Sequence, residues 1–389
     1  MNLPQPSADA LAHSLRLNQH IRGAINKAGG WIPYSAYMEQ ALYAPGLGYY
    51  SAGASKLGRE GDFVTAPELS PLFGKVLARQ VSSLFLNLAP TLLEVGAGSG
   101  ALAASLLEEL QQLGALPDQY FILELSADLR QRERDTLAAR VPHLLERVTW
   151  LDRLPPSFSG VVIGNEVLDA MPVEVFRITG DKIEQAVEQA GVAIKDDAFG
   201  WSFRPAPDAL ARMVGTLGLA AGYRSEVALA APAFIASLAK IMEKGVALFI
   251  DYGFPRHEYY HPQRSEGTLM CHYRHRAHDD PFFLPGLQDI TAHVDFSAIA
   301  SAAADNGLDV LGYATQAQFL INCGITNVLA ACAAESAGAP SAGYLTLTNG
   351  AQRLLSPAEM GELFKVIALG RGIEAPLPGF SSGDKTHTL

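Results

Sequence analysis

Three glycines separate an apolar run from a helical pattern in the segment Leu92–Ala101, LLEVGAGSGA. Glycines at a strand-to-helix turn allow a nucleotide-like ligand to approach the backbone closely. The spacing of Gly96, Gly98 and Gly100 fits the G-x-G-x-x-G/A pattern of nicotinamide or flavin dinucleotide sites, with Ala101 in the last place. It fits equally the tighter G-x-G-x-G pattern of S-adenosylmethionine sites. The glycines alone therefore leave both ligands open.

Acidic residues near predicted strand ends favour S-adenosylmethionine. Glu94 precedes Gly96, where a dinucleotide-binding strand is usually apolar and a methyltransferase turn often carries an acid that faces the methionine part of the ligand. Glu124 ends the apolar segment YFILE, where a carboxylate accepts hydrogen bonds from ribose hydroxyls in either class of protein. Asp152 in WLDRLP, flanked by Leu151, suits an adenine pocket, with its carboxylate on the exocyclic amine. The alternatives are that Glu94 merely caps the glycine turn, that Glu124 is a surface glutamate and that Asp152 lies in an ordinary strand-end turn.

A further polar set follows the next apolar run, GVVI, in the segment GNEVLDAMPVEVF. Asn165, Glu166 and Asp169 are expected where the fourth strand emerges, opposite the glycine loop and next to the methyl group of the ligand. Asp251 in FIDYG is expected at the end of the following strand. Polar groups at such strand ends are a common catalytic location, although Asn165 or Asp169 would also serve as helix N-caps.

The segment GDFVTAPE, Gly61–Glu68, precedes this region and is expected to fold over the ligand as a lid. Asp62, Thr65 and Glu68 are its polar members, and we expect one or two of them to face the ligand. The alternative is a solvent-facing turn that ends in a helix cap.

The elements that must position these residues alternate between strands and helices. Apolar strand candidates are TLLEV, YFILEL, RVTWL, GVVIGNEVL and VALFIDYG, with helical patterns at 101–113 and 127–139 between the first pairs. This alternation predicts a doubly wound, Rossmann-like α/β sheet with functional loops at the carboxyl ends of its strands. A helix is predicted at 7–28, an antiparallel α+β cap between 173 and 231, and a helix at 232–244. A long irregular stretch is expected after residue 253.

Composition excludes several classes of function. A net charge of −11 argues against a general nucleic-acid binder and leaves a basic peptide substrate open, because an acidic surface would attract one. The three cysteines form neither a disulfide framework nor a CxxC site, no apolar run reaches membrane-spanning length, and no signal peptide is recognised, which together favour a cytoplasmic protein. Six of the ten histidines lie between His257 and His293, without an HExxH pattern, so no metal is expected.

Several long motifs occur in an order that resembles the MidA-like class I methyltransferases, a family that includes the mitochondrial complex I assembly methyltransferase. They are GDFVTAPELSPLFG, LLEVGAGSGALA, ELSADLRQRER, GNEVLDAMPVEVF, YRSEVALAAPAF, ALFIDYGF, GTLMCHYRHRAHDDPFFLPGLQDITAHVDFSAIA and LGYATQAQFLINCGI. The resemblance extends from about residue 21 to about residue 379. The last stretch, SSGDKTHTL, matches no functional motif.

The resemblance implies methylation of a protein arginine with S-adenosylmethionine as cofactor. Carboxylates paired with a guanidinium would orient it and localise a lone pair on the attacking nitrogen. We hypothesise that Glu166 is the main guanidinium partner, assisted by Asn165, Asp169 and Asp251. Four regions are expected: a helical lid region (1–88), the first part of the methyltransferase core (89–175), an inserted cap (176–235) and the second part of the core (236–389), with a substrate loop at about 254–296.

Two other activities remain open at this stage. One keeps the cofactor and methylates a small molecule or another protein side chain. The other is an assembly factor that binds S-adenosylmethionine but acts mainly by docking to a partner. A dinucleotide oxidoreductase is the least favoured alternative, and the apolar C-terminal part leaves a homodimer as one expectation.

Overall fold

A computed structural model of the chain describes residues 3–52, 64–180, 187–335 and 342–389. The chain divides into two compact units. Unit 1 consists of Met1–Phe63, Asp169–Ala233 and Phe254–Asp295, and unit 2 consists of Val64–Leu168, Phe234–Gly253 and Phe296–Leu389.

The strands in chain order are β1 (Ile32–Pro33), β2 (Thr91–Val95), β3 (Gln119–Leu123), β4 (Val148–Leu151), β5 (Phe158–Asn165), β6 (Val173–Ile178), β7 (Val187–Lys195), β8 (Ala198–Pro205), β9 (Arg224–Ala228), β10 (Met242–Phe254), β11 (Met270–Tyr273), β12 (Arg276–His278), β13 (Asp289–Thr291), β14 (Val294–Asp295), β15 (Asp309–Thr315) and β16 (Phe364–Arg371). The α-helices are α1 (Ala8–Lys27), α2 (Tyr34–Tyr43), α3 (Ala66–Leu69), α4 (Pro71–Phe85), α5 (Ala101–Gln112), α6 (Ala127–Arg140), α7 (Asp208–Gly215), α8 (Ala230–Ile241), α9 (Arg256–Tyr259), α10 (Phe296–Asp305), α11 (Gln316–Asn322), α12 (Ile325–Glu335) and α13 (Ala342–Leu355).

Unit 2 is built on a sheet with the strand order β15-β16-β10-β5-β2-β3-β4. The five strands from β10 to β4 are parallel, and β16 runs antiparallel to both β10 and β15. The first strand, β2, therefore lies between β3 and β5, so that the strand order reverses beside it. This confirms the predicted doubly wound α/β sheet and places a topological switch point between β2 and β5.

Helix α4 shows how the sequence produces the layers that cover this sheet. Its N-cap is Ser70, whose hydroxyl oxygen accepts from the Leu72 amide at 3.3 Å, and Pro71 supplies a preset φ at the first helical position. Leu77 and Val81 on its apolar face are buried together with Leu106 of α5. Ser70 and Pro71 therefore determine where this helix begins.

Unit 1 contains two antiparallel sheets. One has the order β1-β7-β6-β9, with β8 on β7, which agrees with the predicted antiparallel cap. The other has the order β12-β11-β13 and lies in the histidine-rich stretch that was expected to be irregular, so that expectation was wrong. The strands there are only three or four residues long, too short for a clear alternating pattern.

The two units divide the chain differently from the four regions expected from the sequence. Residues 64–88, including α3 and α4, belong to unit 2 because their apolar side chains join its core. Residues 254–295 belong to unit 1 rather than to the sheet of unit 2. Among the described residues, no helix combines the length and apolar character required to span a membrane.

Candidate active site

The register of the parallel sheet brings the predicted site residues of unit 2 to one edge. Val95 of β2 is paired with Leu123 of β3 on one side and with Gly164 of β5 on the other. Leu123 is paired in turn with Leu151 of β4, and Asn165 of β5 with Ile250 of β10. The glycine loop and the residues that follow β3, β4, β5 and Ile250 therefore emerge side by side, at the carboxyl ends of the strands where ligands of such sheets bind.

The glycine loop after β2 requires its glycines. Gly96, Gly98 and Gly100 all have positive φ, at 65°, 59° and 78°, a region that side chains other than glycine rarely adopt. Gly100 is the N-cap of α5, so the first turn of that helix presents backbone N–H groups toward the loop. The loop is shaped to let a polar ligand approach the backbone.

Glu94, predicted to order this loop, is buried inside the sheet. Its Oε2 accepts a hydrogen bond from the Tyr120 hydroxyl at 2.6 Å. Burial raises the pKa of the Glu94 carboxyl from its ordinary value of 4.5 to about 7, although the bond from Tyr120 lowers it. Glu94 therefore exchanges its proton near neutral pH, and its visible contact is with the neighbouring strand.

Glu124, the predicted ribose acceptor, lies immediately after β3 and is almost completely buried. Its Oε1 accepts from the Ser126 amide at 2.7 Å, and burial raises the pKa of the carboxyl despite that bond. Arg130 of α6 donates to the backbone oxygen of Glu124 at 2.6 Å and to that of Leu151 at 2.8 Å. Arg130 thus joins the ends of β3 and β4.

Leu125 is a candidate site residue that the sequence analysis missed. Its side chain is 75% exposed, although it directly follows the buried Glu124. A large exposed apolar side chain beside a buried carboxylate suits a ligand with an apolar ring next to hydroxyl groups. The signal in the sequence was a leucine directly after the acid that ends a strand. On the adjacent strand end Leu151 is half-buried and Asp152 is exposed.

Asn165 and Glu166 are brought together at the end of β5. Glu166 has a φ of 53°, a left-handed conformation that is unusual for a residue with a side chain. Its amide donates to the Ile250 oxygen at 2.8 Å, and its Oε1 accepts from the Asn165 side-chain amide at 3.2 Å and from the Ala66 amide at 3.4 Å. The Oδ1 of Asn165 is buried and has no hydrogen-bond partner among the described residues.

Asp251 of β10 holds the backbone that follows Glu166. Its Oδ2 accepts from the Val167 amide at 3.1 Å and from the Leu168 amide at 2.9 Å, and its Oδ1 from the Tyr252 amide at 3.0 Å. A carboxylate with three amide donors acts first as an anchor of the loop. A catalytic role for Asp251 stays a prediction.

The roles of two further predicted site residues, Asp169 and Thr65, stay predictions. Asp169 begins the second segment of unit 1, where it is buried and its backbone oxygen accepts from the Ala292 amide at 3.0 Å. Thr65 is the N-cap residue of α3, without a side-chain capping bond. Asp62, another polar member of the predicted lid, lies outside the described residues. Within the part of the chain that the structure describes, no group of three or more His, Cys, Asp or Glu residues is arranged to hold a metal ion.

The chemistry of this edge fits S-adenosylmethionine. The left-handed glycines admit the ligand to the backbone, and Glu124 beside Leu125 matches a ribose beside an aromatic base. The unpaired, buried Oδ1 of Asn165 requires an N–H donor, which an amino acid or a guanidinium provides. The fold and the site together define a class I, nucleoside-binding methyltransferase.

Comparison with known proteins agrees with this class. Residues 76–314 match a family described as "Putative S-adenosyl-L-methionine-dependent methyltransferase". A Burkholderia thailandensis protein crystallised with bound S-adenosyl-homocysteine is 52% identical, with a TM-score of 0.93 and complete coverage of both chains.

Curated relatives extend the similarity to eukaryotes. The Drosophila melanogaster protein named protein arginine methyltransferase NDUFAF7 homolog, mitochondrial, is 30% identical over 97% of this chain and 92% of its own length. The Mus musculus protein arginine methyltransferase NDUFAF7, mitochondrial, is 30% identical over 88% of this chain and 82% of its own length. The chain belongs to this family of S-adenosylmethionine-dependent methyltransferases.

Proposed function

We propose that the protein methylates an arginine side chain of a protein substrate and that Glu166 is the main partner of the guanidinium. The observation that carries this assignment is the left-handed backbone of Glu166 at the switch point, where φ is 53°. Such a conformation costs on the order of 1–3 kcal/mol and is concentrated at functional sites. The two curated relatives are named protein arginine methyltransferases, which supports arginine as the methyl acceptor.

The cofactor is assigned to the same edge of the sheet. Glu124 would accept from the ribose hydroxyls, Leu125 and Leu151 would cover the adenine, and Asp152 would accept from its exocyclic amine. The glycine loop, with Glu94 beneath it, would lie against the methionine part. The remaining proposed cofactor contacts are Asn165 and Thr65.

The reaction requires orientation more than acid strength. When bound, S-adenosylmethionine supplies an electrophilic methyl group on a sulfonium. An arginine guanidinium is planar, charged and a poor nucleophile, so a carboxylate on its N–H groups must hold one nitrogen in line. Glu166 supplies that carboxylate, and the Asn165 amide and the Ala66 N–H fix its orientation. Methylation would form a C–N bond at the guanidinium nitrogen as the C–S bond of the sulfonium breaks and S-adenosylhomocysteine leaves. The attacking nitrogen loses one proton, which the Glu166 carboxylate accepts and passes to solvent.

The test combines a product assay with Glu166→Gln. Purified protein is incubated with S-adenosylmethionine labelled in the methyl group and with an arginine-containing peptide library, and acid hydrolysates are analysed for methylated amino acids. We expect methylarginine, and a decrease of roughly ten- to a hundredfold in kcat/KM for Glu166→Gln, because a charge-assisted pair is lost. Affinity for S-adenosylhomocysteine should not change. Glu146→Gln, an exposed carboxyl in the same unit, is the matched control.

Two results would contradict the proposal. Label recovered on another amino acid, or only on small molecules, would exclude arginine as the acceptor. Full turnover of Glu166→Gln would exclude Glu166 as the guanidinium partner while leaving the methyltransferase activity in place.

A further inference from the structure

A carboxyl group that none of the assignments above uses lies beneath the nucleoside site. Glu133 of α6 is 0% exposed. Its Oε2 accepts from the Trp150 indole N–H at 2.7 Å, while its Oε1 has no hydrogen-bond partner among the residues that the structure describes. A buried carboxylate with one donor is costly, so the neutral form is favoured.

Glu133 touches two of the segments assigned to the ligand. On one side, a Cβ atom at Gly100 would lie 3.0 Å from the Glu133 Cα and 3.2 Å from its backbone oxygen, so the helix packs directly on the glycine loop. On the other side, Trp150 directly precedes Leu151 on β4. One turn further along α6, the Thr136 hydroxyl donates to the Ser99 oxygen at 2.6 Å.

The electrostatic surroundings of Glu133 are mostly acidic. The pKa of its carboxyl is raised from the ordinary value of 4.5 to about 8, first by burial and next by Glu124 at the end of β3. The Trp150 N–H lowers the pKa, Glu94 on β2 raises it, and Arg130 on α6 lowers it. Arg134 lies over the indole ring of Trp150, with its guanidinium carbon 4.5 Å from the ring centroid. At neutral pH Glu133 therefore keeps its proton.

We propose that Glu133 is a positioning residue of the nucleoside site and that its deprotonation weakens cofactor binding. This rests on the assignment of Glu124, Leu151 and Asp152 to the nucleoside. The protonated carboxyl holds Trp150, and with it the end of β4, at the right distance from the glycine loop. A negative charge there repels the Glu124 carboxylate and leaves a buried oxygen that must recruit water into the packed interface.

The pH dependence has a definite sign. Binding removes water from above the site, so a charge on Glu133 is more costly in the complex and the pKa of Glu133 is higher there. Affinity is then constant below about pH 8 and falls as the pH rises above it. Glu124 acts in the opposite direction, because ribose hydroxyls donate to its ionised form, lower its pKa and make affinity rise with pH on the acidic side.

The test measures binding of 5′-methylthioadenosine by calorimetry from about pH 6 to about pH 9.5. This probe carries the nucleoside but lacks the amino-acid group, which would itself titrate in this range. We expect wild type to bind about tenfold more weakly at pH 9 than at pH 7, because each pH unit above the pKa corresponds to a tenfold change. Glu133→Gln, which mimics the protonated carboxyl, should retain the affinity seen at pH 7 across the whole range.

Three further variants distinguish positioning from general stability. Glu133→Ala should bind the probe weakly at every pH. Tight binding by Glu133→Gln but not by Glu133→Ala would show that the site requires a neutral group that accepts the hydrogen bond from Trp150. Asp135→Asn, which removes an exposed carboxyl from the same helix, should behave as wild type. Tryptophan fluorescence provides an independent readout, since a component that titrates near pH 8 in wild type should be absent from Glu133→Gln.

The outcomes separate this inference from the assignment beneath it. The role of Glu133 would be overturned if wild type and Glu133→Gln lost affinity in parallel above pH 8. It would also be overturned if Glu133→Ala bound the probe as tightly as wild type. Unchanged binding by Glu124→Ala would instead overturn the nucleoside site itself. Weak binding by Glu124→Ala combined with a flat pH profile for Glu133→Gln supports both.

Discussion

Replacement of Glu94 by glutamine should make the stability of unit 2 less dependent on pH. The folded protein keeps the Glu94 proton up to about pH 7, whereas the unfolded chain loses it near pH 4.5. Between these values the folded state binds more protons than the unfolded state, so the free energy of unfolding decreases as the pH rises. The stabilisation is complete below pH 4.5, is lost through pH 7 and then levels off. Glutamine carries no titrating proton and removes this dependence.

The size of the effect follows from the shift of the pKa. A change from 4.5 to about 7 corresponds to about 3 kcal/mol in total. Between pH 5 and pH 8 the free energy of unfolding of wild type should therefore fall by about 2.5 kcal/mol more than that of Glu94→Gln. The Tyr120 hydroxyl donates to Glu94 and lowers the pKa of its carboxyl, so Tyr120→Phe should raise that pKa. This second variant should extend the decrease to higher pH.

Urea unfolding at pH 5, 6, 7 and 8 measures these free energies. Trp150 is the tryptophan of unit 2, whereas Trp31 and Trp201 belong to unit 1. Fluorescence in a Trp31→Phe/Trp201→Phe background therefore follows unit 2 alone. Stability curves of wild type and Glu94→Gln that stay parallel from pH 5 to pH 8 would refute the argument, because they would show that Glu94 ionises at the same pH in both states.

Three other substitutions have defined outcomes. Gly100→Ala places a side chain at a φ of 78° with its Cβ 3.0 Å from the Glu133 Cα, so the urea midpoint and the affinity for S-adenosylhomocysteine should both fall. Gly114→Ala is the control: its φ is 66°, the space around it is open, and it should cost only about 1–2 kcal/mol of stability. Asp251→Asn removes a charged acceptor from the Val167 and Leu168 amides and should lower stability by about 1.5–3 kcal/mol together with turnover. Gln80→Leu leaves the Gly379 amide without the side-chain oxygen that accepts from it at 2.7 Å, which limited proteolysis of the C-terminal tail should detect.

The sheet and its ligand edge could be predicted because local sequence determines them. Parallel strands buried on both faces read as continuous apolar runs, and the glycines of the loop mark positions of positive φ. Glu124 and Glu166 were proposed as site residues because each lies at the end of such a strand. These features need no knowledge of distant contacts.

Features that depend on distant partners could not be predicted in this way. Tyr120 is 26 residues from Glu94 in sequence and meets it only through the pairing of β2 with β3. Two of the amide donors of Asp251, those of Val167 and Leu168, come from the loop after β5, more than eighty residues earlier. In the histidine-rich segment, three very short strands pair with each other to form a sheet. No periodicity in the sequence predicts this pairing.

Glu133 lies between these two cases, and its signal was present in the sequence. The buried residues of α6 are Leu129, Glu133 and Leu137, spaced by four, so the glutamate occupies the centre of the only buried stripe of an otherwise charged helix. An acidic residue at the centre of such a stripe costs stability unless its proton is retained or its charge is paired. Glutamine would fill the same space without that cost. The inferred pH dependence of cofactor binding is what distinguishes a carboxyl at this position from an amide.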